Sequence, residues 1–468
     1  IDPVRTDRTV DLEVEIEVSL KAEHWKRALV YGLGISGKAA ARLLRSRAVE
    51  VVGMDRRTAE GLELGDLASD PGVELHLGEE PELLPAGVDA LVISPGVPPG
   101  QPLLQAARQA GLPIVAEVEL ASWYLSGPIV GITGSNGKST TTALTGELLR
   151  ASGFDVEVCG NIGLPLSACV EGEAGRIFVT ELSSFQLEGI DGLRPRAAGL
   201  LNLAADHLDW HGGEDAYFAA KKAIFRNQTA DDSAVLNADD SRVAAIETEA
   251  HRRAFSRTAP VQDGCYVEGD IVVEVAPGEA PRALFCCDDL ALEGEHNLEN
   301  AMAAALLSRA MGADGSAFPA ALALFRGLPH RVEQVGDRLG VKWIDDSKAT
   351  NFAATLRSLD AFPGHSVHLI LGGRNKGGDA ALLAEVAGRK VKRIYLVGEA
   401  AEDFRSALAG IVPCEMAVHL PQAVDSAARR AVEGDVVLLS PACASFDQYR
   451  NFNERGDHFQ QLVGALNG

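Results

Sequence analysis

The sequence predicts an α/β protein of three domains, and two observations carry that expectation. Short apolar runs rich in Val, Ile and Leu alternate with helical patterns along nearly the whole chain, which is the order of β-α-β units and so of parallel sheets. The alternation restarts twice, and 468 residues hold about three domains at roughly 150 residues each. The expected domains are 1–116, 117–327 and 328–468.

Residues 10–18 alternate strictly between apolar and acidic side chains, the period of a strand. They suggest an added edge strand or an unsettled tail, and carry no assignable chemistry. A strand is then expected at 28–31, followed by the turn Gly32-Leu-Gly34-Ile-Ser-Gly37 and a helix over 38–47. Strands at 49–54, 90–93 and 113–115 extend the first sheet, and Ser94-Pro-Gly96 follows the third of these. The second block opens with the apolar run 128–130, the loop Gly131-Ile-Thr-Gly134-Ser135-Asn136-Gly137-Lys138-Ser139-Thr140 and a helix over 141–150. Strands follow at 175–180, 198–201 and 233–236, then an irregular strand-rich stretch over 252–293 and an Ala-rich helix opening at Glu295. In the third block, strands are expected at 341–344, 365–371, 393–397 and 435–439.

Hydrophobic residues make up 46% of the chain, ample for sizeable cores, and the formal net charge is −23. Such a charge argues against nucleic acid or an anionic membrane as the main partner. It leaves room for small anions, because local lysines and magnesium reverse the field inside a cleft. No apolar run approaches the roughly 20 residues that span a bilayer, and no signal peptide opens the sequence. Seven scattered cysteines form neither a zinc pattern nor an even disulfide framework. The expectation is a cytoplasmic protein with reduced thiols.

Strand, glycine loop, Lys-Ser and helix, in that order, make a phosphate cradle. Glycines turn backbone N–H groups toward phosphate oxygens, the lysine adds a point charge, and the hydroxyl is a magnesium ligand. Ile132 stands where the strict pattern has its first glycine. Gly32-x-Gly34-x-x-Gly37, with Asp55 after the next strand, fits a diphosphate on a helix N-terminus and an acid on a ribose or base. Nicotinamide dinucleotides and UDP-linked substrates satisfy that geometry equally, and a tight β-α turn without ligand remains open. Glu181, at a strand end, suits a magnesium beside a nucleotide, although a surface acid reads the same way. Asp206-His207-Leu-Asp209 with Lys221 is either a capping cluster or part of that site. Asp346-Ser-Lys348-Ala-Thr350-Asn351 is a carboxylate-binding corner or an ordinary capped helix start. Lys376 lies on a glycine-rich turn, and Ser440-Pro-Ala-Cys443-Ala-Ser445 again follows a strand. Cys443 reads as a packed thiol.

Together these segments, with His296-Asn297 and Gly327-Leu-Pro-His-Arg331, resemble the Mur ligase family from about residue 27 onward, in its D-glutamate-adding branch. Two departures are the N-terminal segment and Trp210-His211 beside the expected metal site. The resemblance implies a Rossmann-like UDP-binding domain, a central P-loop ATPase-type domain and a C-terminal Rossmann-like domain. It implies ATP and Mg2+ as cofactors, and UDP-N-acetylmuramoyl-L-alanine and D-glutamate as substrates, joined through an acyl phosphate. It further implies a monomer without nucleic acid or membrane insertion.

Carried over by position, Lys138 holds the terminal phosphates, with Gly134, Ser135, Asn136, Gly137, Ser139 and Thr140 around the nucleotide. Asn297, Asn300, Arg331 and Asp346 complete that site. Ser139 and Glu181 hold one magnesium. Lys221, as a carbamate, holds a second with His207. Ile35, Ser36, Asp55, Arg57, Gly96, Asn161, Ser183 and His207 meet the UDP substrate. Lys348, Thr350, Lys376, Ser445 and the backbone of Phe452 meet the amino acid. Competing readings are a folylpolyglutamate synthetase-type ligase, a nicotinamide oxidoreductase and a non-catalytic nucleotide-binding homologue.

Overall fold

The computed structural model describes residues 24–80, 82–170, 175–204, 208–292, 294–375 and 380–466. The alternating stretch at 10–18 lies outside them. The chain divides into two compact units, Ile1–Phe325 and Arg326–Gly468.

In the first unit, β1 (Arg27–Tyr31), β2 (Glu50–Asp55), β3 (Val73–Leu77), β4 (Ala90–Ile93) and β5 (Ile114–Ala116) form a parallel sheet in the order β3-β2-β1-β4-β5. The order reverses at β1, so the turns after β1 and β4 open side by side, where open α/β sheets take ligands. The helix after β1 spans Ile35–Ser46, a turn earlier than the sequence pattern predicts, because the glycine turn itself supplies its first residues and Gly34 its extended N-cap. Gly37 is required there: a Cβ would lie 1.8 Å from the Gly32 carbonyl oxygen.

The second sheet contains β6 (Ile129–Thr133), β7 (Val156–Gly160), β8 (Ile177–Glu181), β9 (Ala197–Leu200), β10 (Ser233–Asn237), β11 (His251–Ser256), β12 (Gly264–Glu268), β13 (Ile271–Val275) and β14 (Arg282–Cys286). Its order is β14-β13-β12-β11-β10-β9-β6-β8-β7, with β13 antiparallel to both its neighbours and every other pair parallel. The run at 252–293 is thus where the parallel sheet ends in antiparallel strands. The helices Lys138–Ala151 and Glu295–Ala310 pack together. Alanines 301, 303, 304 and 305 are fully buried, and such small side chains let a helix approach closely.

The two sheets share one hydrophobic core, which joins Leu43 and Leu44 of the first helix to Leu120, Leu166, Phe178 and Leu187. That is why two blocks of sequence form one compact unit. The helix Glu117–Ser122 connects them with buried acids. Glu119 accepts the N–H groups of Asp191, Gly192 and Leu193 at 2.8–3.0 Å. Glu117 accepts that of Ser167 at 2.7 Å, and burial pushes its carboxyl up.

In the second unit, β15 (Glu333–Arg338), β16 (Val341–Asp345), β17 (Val367–Gly372), β18 (Val391–Val397), β19 (Cys414–Val418) and β20 (Val436–Leu439) order as β15-β16-β20-β17-β18-β19. Only β15 is antiparallel. Insertion of β20 between β16 and β17 brings the ends of these three strands together. Both faces are packed, one with Leu369, Leu371 and Phe404, the other with Trp343, Tyr395 and Phe459.

Candidate active site

β6 delivers the phosphate loop at the point where its sheet changes direction, between β8 and β9. Gly137 is the left-handed N-cap of the following helix, with φ 82°. The helix starts at Lys138, so Lys138, Ser139 and Thr140 occupy its first turn, where unpaired N–H groups and the helix dipole favour an anion. The loop is braced from behind. Ser135 N–H donates to the Asn202 carbonyl at 3.0 Å and Asn136 N–H to the Asn202 side chain at 2.9 Å. The Ser135 hydroxyl bonds Ala204 and lies 3.1 Å from the Tyr217 hydroxyl. Lys138 Nζ donates back to the carbonyls of Gly134 and Ser135 at 2.8 and 3.0 Å. Asn300 accepts from the Thr141 hydroxyl at 3.2 Å and donates to Asn297 at 3.3 Å, which brings the second predicted nucleotide segment onto the loop helix.

Glu181 ends β8 next to Ile132 of β6 and is 2% exposed. Its Oε1 accepts from the Asn161 side chain at 2.8 Å, while Oε2 is buried without a partner among the described residues. The Thr133 hydroxyl at the end of β6 is also buried without a partner among the described residues. Orphaned hard oxygens beside a phosphate loop fit a magnesium ion, which takes carboxylate and hydroxyl oxygens. Lys221 is 1% exposed, with its ammonium 2.8 Å from the Gly134 carbonyl and 4.7 Å from the Tyr217 ring centroid. His207 lies outside the described residues, so its place beside Lys221 rests on the sequence alone.

In the first sheet, Asp55 braces the glycine turn. It accepts the Leu33 N–H at 2.7 Å and a forked pair from Arg57 at 2.7 and 3.0 Å. Burial opposes its charge, but these donors hold the carboxyl below its ordinary range. Ser94 ties the turn after β4 to the Gly32 carbonyl. Ile35 is 74% exposed and Gly96 is open on its Cα side, so both present surface at the mouth of the crevice. Ser183 caps the helix Ser184–Glu188 in a capping box with Gln186.

A cavity of about 260 Å3 lies between the two sheets of this unit, lined by Ser94, Val97, Leu104, Arg108, Gln186 and Trp210 among others. The Trp210 indole N–H is buried without a described partner. The neighbouring His211 stacks on Phe185 and bonds Glu188 and Ser184 at 2.7 and 3.0 Å. The Trp210-His211 pair therefore clamps the helix after Glu181, a contact its sequence position alone did not indicate.

In the second unit, Lys348 and Thr350 stand half-buried in the turn after β16. Lys348 lies 5.8 Å from the Phe452 ring centroid, and Ser347 donates to the Phe452 carbonyl at 2.8 Å. Phe452 opens the last helix, and Ser445 is buried in the turn after β20. Lys376 lies outside the described residues. Asp346 turns inward rather than presenting a free carboxylate. Its oxygens accept the hydroxyls of Ser358 and Ser440 at 2.5 and 2.8 Å and the Val332 N–H at 3.3 Å, and burial pushes its carboxyl up to about 6. Arg331 is exposed between His330 and Val332, two non-glycine residues with φ of 60° and 47°, a strained corner of the kind held at functional sites.

His330, Glu333 and Asp345 lie close enough to hold a metal ion. Protein donors already satisfy them. His330 Nδ1 meets Asp345 at 2.7 Å, and Gln460 donates to Glu333 and Asp345 at 3.1 Å. The cluster reads as the support beneath Arg331 and Asp346. Sequence reasoning missed the Asn202 brace, the Thr133 hydroxyl and the buried Arg455. Only the first carried a signal, as a polar residue right after a strand.

Parallel sheets with a glycine-lysine phosphate loop at one strand end and a lysine-bearing turn at another are the architecture of an α/β nucleotide-dependent enzyme. Family models match along the chain: the MurD-like N-terminal domain over 26–116, the Mur ligase middle domain over 132–308 and the Mur ligase glutamate ligase domain over 330–443. The chain belongs to the Mur ligase family. The UDP-N-acetylmuramoylalanine–D-glutamate ligase of Acidobacterium capsulatum is 43% identical, across 95% of this chain and 97% of the relative. That of Anaeromyxobacter dehalogenans is 46% identical, across 93% and 97%. The UDP-N-acetylmuramate-alanine ligase structure from Thermotoga maritima shares the fold, with a TM-score of 0.56 at 18% identity over 95% of this chain and all of that one. These relatives leave the pterin and nicotinamide readings without support.

Proposed function

We infer that this chain is an ATP-dependent ligase that adds D-glutamate to UDP-N-acetylmuramoyl-L-alanine in peptidoglycan precursor synthesis. The observation that carries the inference is identity of 41–46% along nearly the full length of relatives bearing that activity. The phosphate loop, the buried Glu181 and the Lys348 corner supply the matching chemistry. A carboxylate is a poor electrophile. Transfer of the γ-phosphoryl group to the alanine carboxylate, with ADP leaving, gives an acyl phosphate. The D-glutamate amine attacks its carbonyl carbon, phosphate departs, and the amine loses a proton.

The residues position and neutralise rather than react. Lys138 and the loop N–H groups, from Gly134 to Thr140, take the phosphates. Asn297 and Asn300 flank the nucleotide in the first unit, while Arg331 and Asp346 are given to it by the family resemblance alone. Ser139 and Glu181 would hold magnesium, with a second ion on His207 and carbamylated Lys221; the metal neutralises charge on the phosphates. Ile35, Ser36, Asp55, Arg57, Gly96, Asn161 and Ser183 receive the UDP substrate. Lys348, Thr350, Lys376, Ser445 and the Phe452 N–H receive D-glutamate. No described helix is long and apolar enough to cross a membrane.

The test is phosphate release from ATP. It should require both UDP-N-acetylmuramoyl-L-alanine and D-glutamate, and L-glutamate should not replace the latter. Release that ignores the amino acid, or that accepts a pterin in place of the UDP compound, would sink the reading.

A further inference from the structure

His211 has a side chain wholly shielded from solvent and takes no part in the chemistry of ligation. It ends the short helix Leu208–His211. Its Nδ1 lies 2.7 Å from Glu188 Oε1 and its Nε2 3.0 Å from the Ser184 hydroxyl, so it grips the helix Ser184–Glu188 at its first and last residues. The ring also stacks on Phe185 of that helix, with centroids 5.5 Å apart and planes 4° from parallel. The helix begins directly after Ser183, whose side chain caps it. His211 also packs against Tyr217, with centroids 5.3 Å apart and planes at 57°. Tyr217 is buried, and its hydroxyl lies 3.1 Å from that of Ser135 in the phosphate loop. One turn further along the helix Glu214–Lys222, Lys221 donates to the Gly134 carbonyl at 2.8 Å, with its ammonium over the Tyr217 ring. Tyr217 and Lys221 therefore hold the loop at consecutive residues from one face of a helix, as side chains at i and i+4 can.

All of these residues belong to the first unit. Dense packing, paired aromatic rings and buried hydrogen bonds transmit displacement rather than absorb it. A shift of the helix Ser184–Glu188 pulls His211 at two bonds, and His211 cannot move without disturbing Tyr217 and, through it, Ser135. We propose that His211 is a positioning residue that couples the two ligand sites of the first unit, the UDP substrate at Ser183 and the triphosphate on the loop from Gly134 to Thr140. A UDP substrate that orders the helix fixes Tyr217, and the loop then has less left to order when the nucleotide binds. By linkage, the nucleotide favours the UDP substrate by the same factor. The inference rests on the ligase reading and deepens it, since it assigns the cooperation between two of the substrates to one side chain. A histidine that only held the helix in place would leave the two affinities independent.

The experiment is calorimetric titration of the full chain with a non-hydrolysable ATP analogue and Mg2+, with and without saturating UDP-N-acetylmuramoyl-L-alanine. The UDP compound should tighten binding of the analogue about fivefold or more. His211→Phe keeps a ring against Phe185 and Tyr217 and removes both hydrogen bonds. In that variant the factor should fall to within about twofold of unity, while the affinity for each ligand alone stays within about twofold of wild type. His211→Gln, which keeps hydrogen-bonding groups and loses the stack, should recover part of the factor. Should the Phe variant not fold by circular dichroism, the Gln variant carries the test through a factor below that of wild type. A wild-type chain that does not bind the UDP compound overturns the ligase reading and this proposal together. One that binds both ligands independently overturns the proposal alone. So does a folded Phe variant that keeps the wild-type factor, whether its two separate affinities are unchanged or both reduced.

Discussion

Asp346 shows what a single buried carboxyl does to this enzyme. Three donors hold it, yet burial wins and its pKa rises from 3.8 to about 6. Below the ordinary value the group is neutral in folded and unfolded chains alike, and it costs nothing. Between about 4 and 6 the folded chain keeps the proton and the unfolded chain loses it, so stability falls as pH rises through that window. Above it, the charged carboxylate costs the second unit on the order of 3 kcal/mol. Asp346→Asn keeps an acceptor for Ser358 and Ser440 and removes the titration. Urea titrations at pH 4 to 7, read by hydrogen exchange in peptides from 326–468, should show wild type losing stability relative to the variant as pH rises. Parallel profiles would show that the carboxyl is not displaced. Such a cost is tolerable where the charge is used, and Asp346 lies beside the strained Arg331 corner assigned to the nucleotide.

At the scale of elements, the loop and its helix depend on one backbone conformation. Gly137 caps the helix at φ 82°, and a Cβ there would come within 2.2 Å of Asn300 Oδ1. Gly137→Ala should therefore cost about 1–2 kcal/mol in backbone strain and push Asn300 off Thr141. ATP affinity should fall about tenfold or more by calorimetry, with a lowered melting temperature; an unchanged affinity would show that the loop does not depend on this cap. Loop, cap and helix were legible because each is local: a strand, a glycine and a lysine within a dozen residues. The strands that sequence did not announce, β3, β7, β15 and β19, all lie at sheet edges. Their half-exposed, interrupted patterns, such as Val-Glu-Leu-His-Leu in β3, lack the continuous apolar run of a buried parallel strand. Glu181 was readable as a carboxylate at a strand end. Arg455 was not, because it meets Ser347 across 108 residues of chain, and only the insertion of β20 between β16 and β17 makes them neighbours.

Across the whole molecule, the sequence's restarts mark three blocks, while packing makes two units, because the first two sheets share a core. That division has a consequence for ligand binding. The residues assigned to the UDP substrate, from Ile35 to Ser183, lie in the first unit, and those assigned to D-glutamate, from Lys348 to Phe452, lie in the second. Local stability follows local packing, and a ligand protects the segment it orders. Hydrogen exchange of the full chain should respond accordingly. UDP-N-acetylmuramoyl-L-alanine alone should slow exchange at 32–37, 94–97 and 161, and leave 345–352 and 440–455 unchanged. D-glutamate alone, at saturating concentration, should do the reverse, because its anchors are N–H groups and side chains of the second sheet-and-helix set only. Protection of the turn at 32–37 by D-glutamate, or of the β16 and β20 turns by the UDP compound alone, would show that the substrates are assigned to the wrong units. The ligase reading would then have to be rebuilt from the site upward, whatever the identity to its relatives.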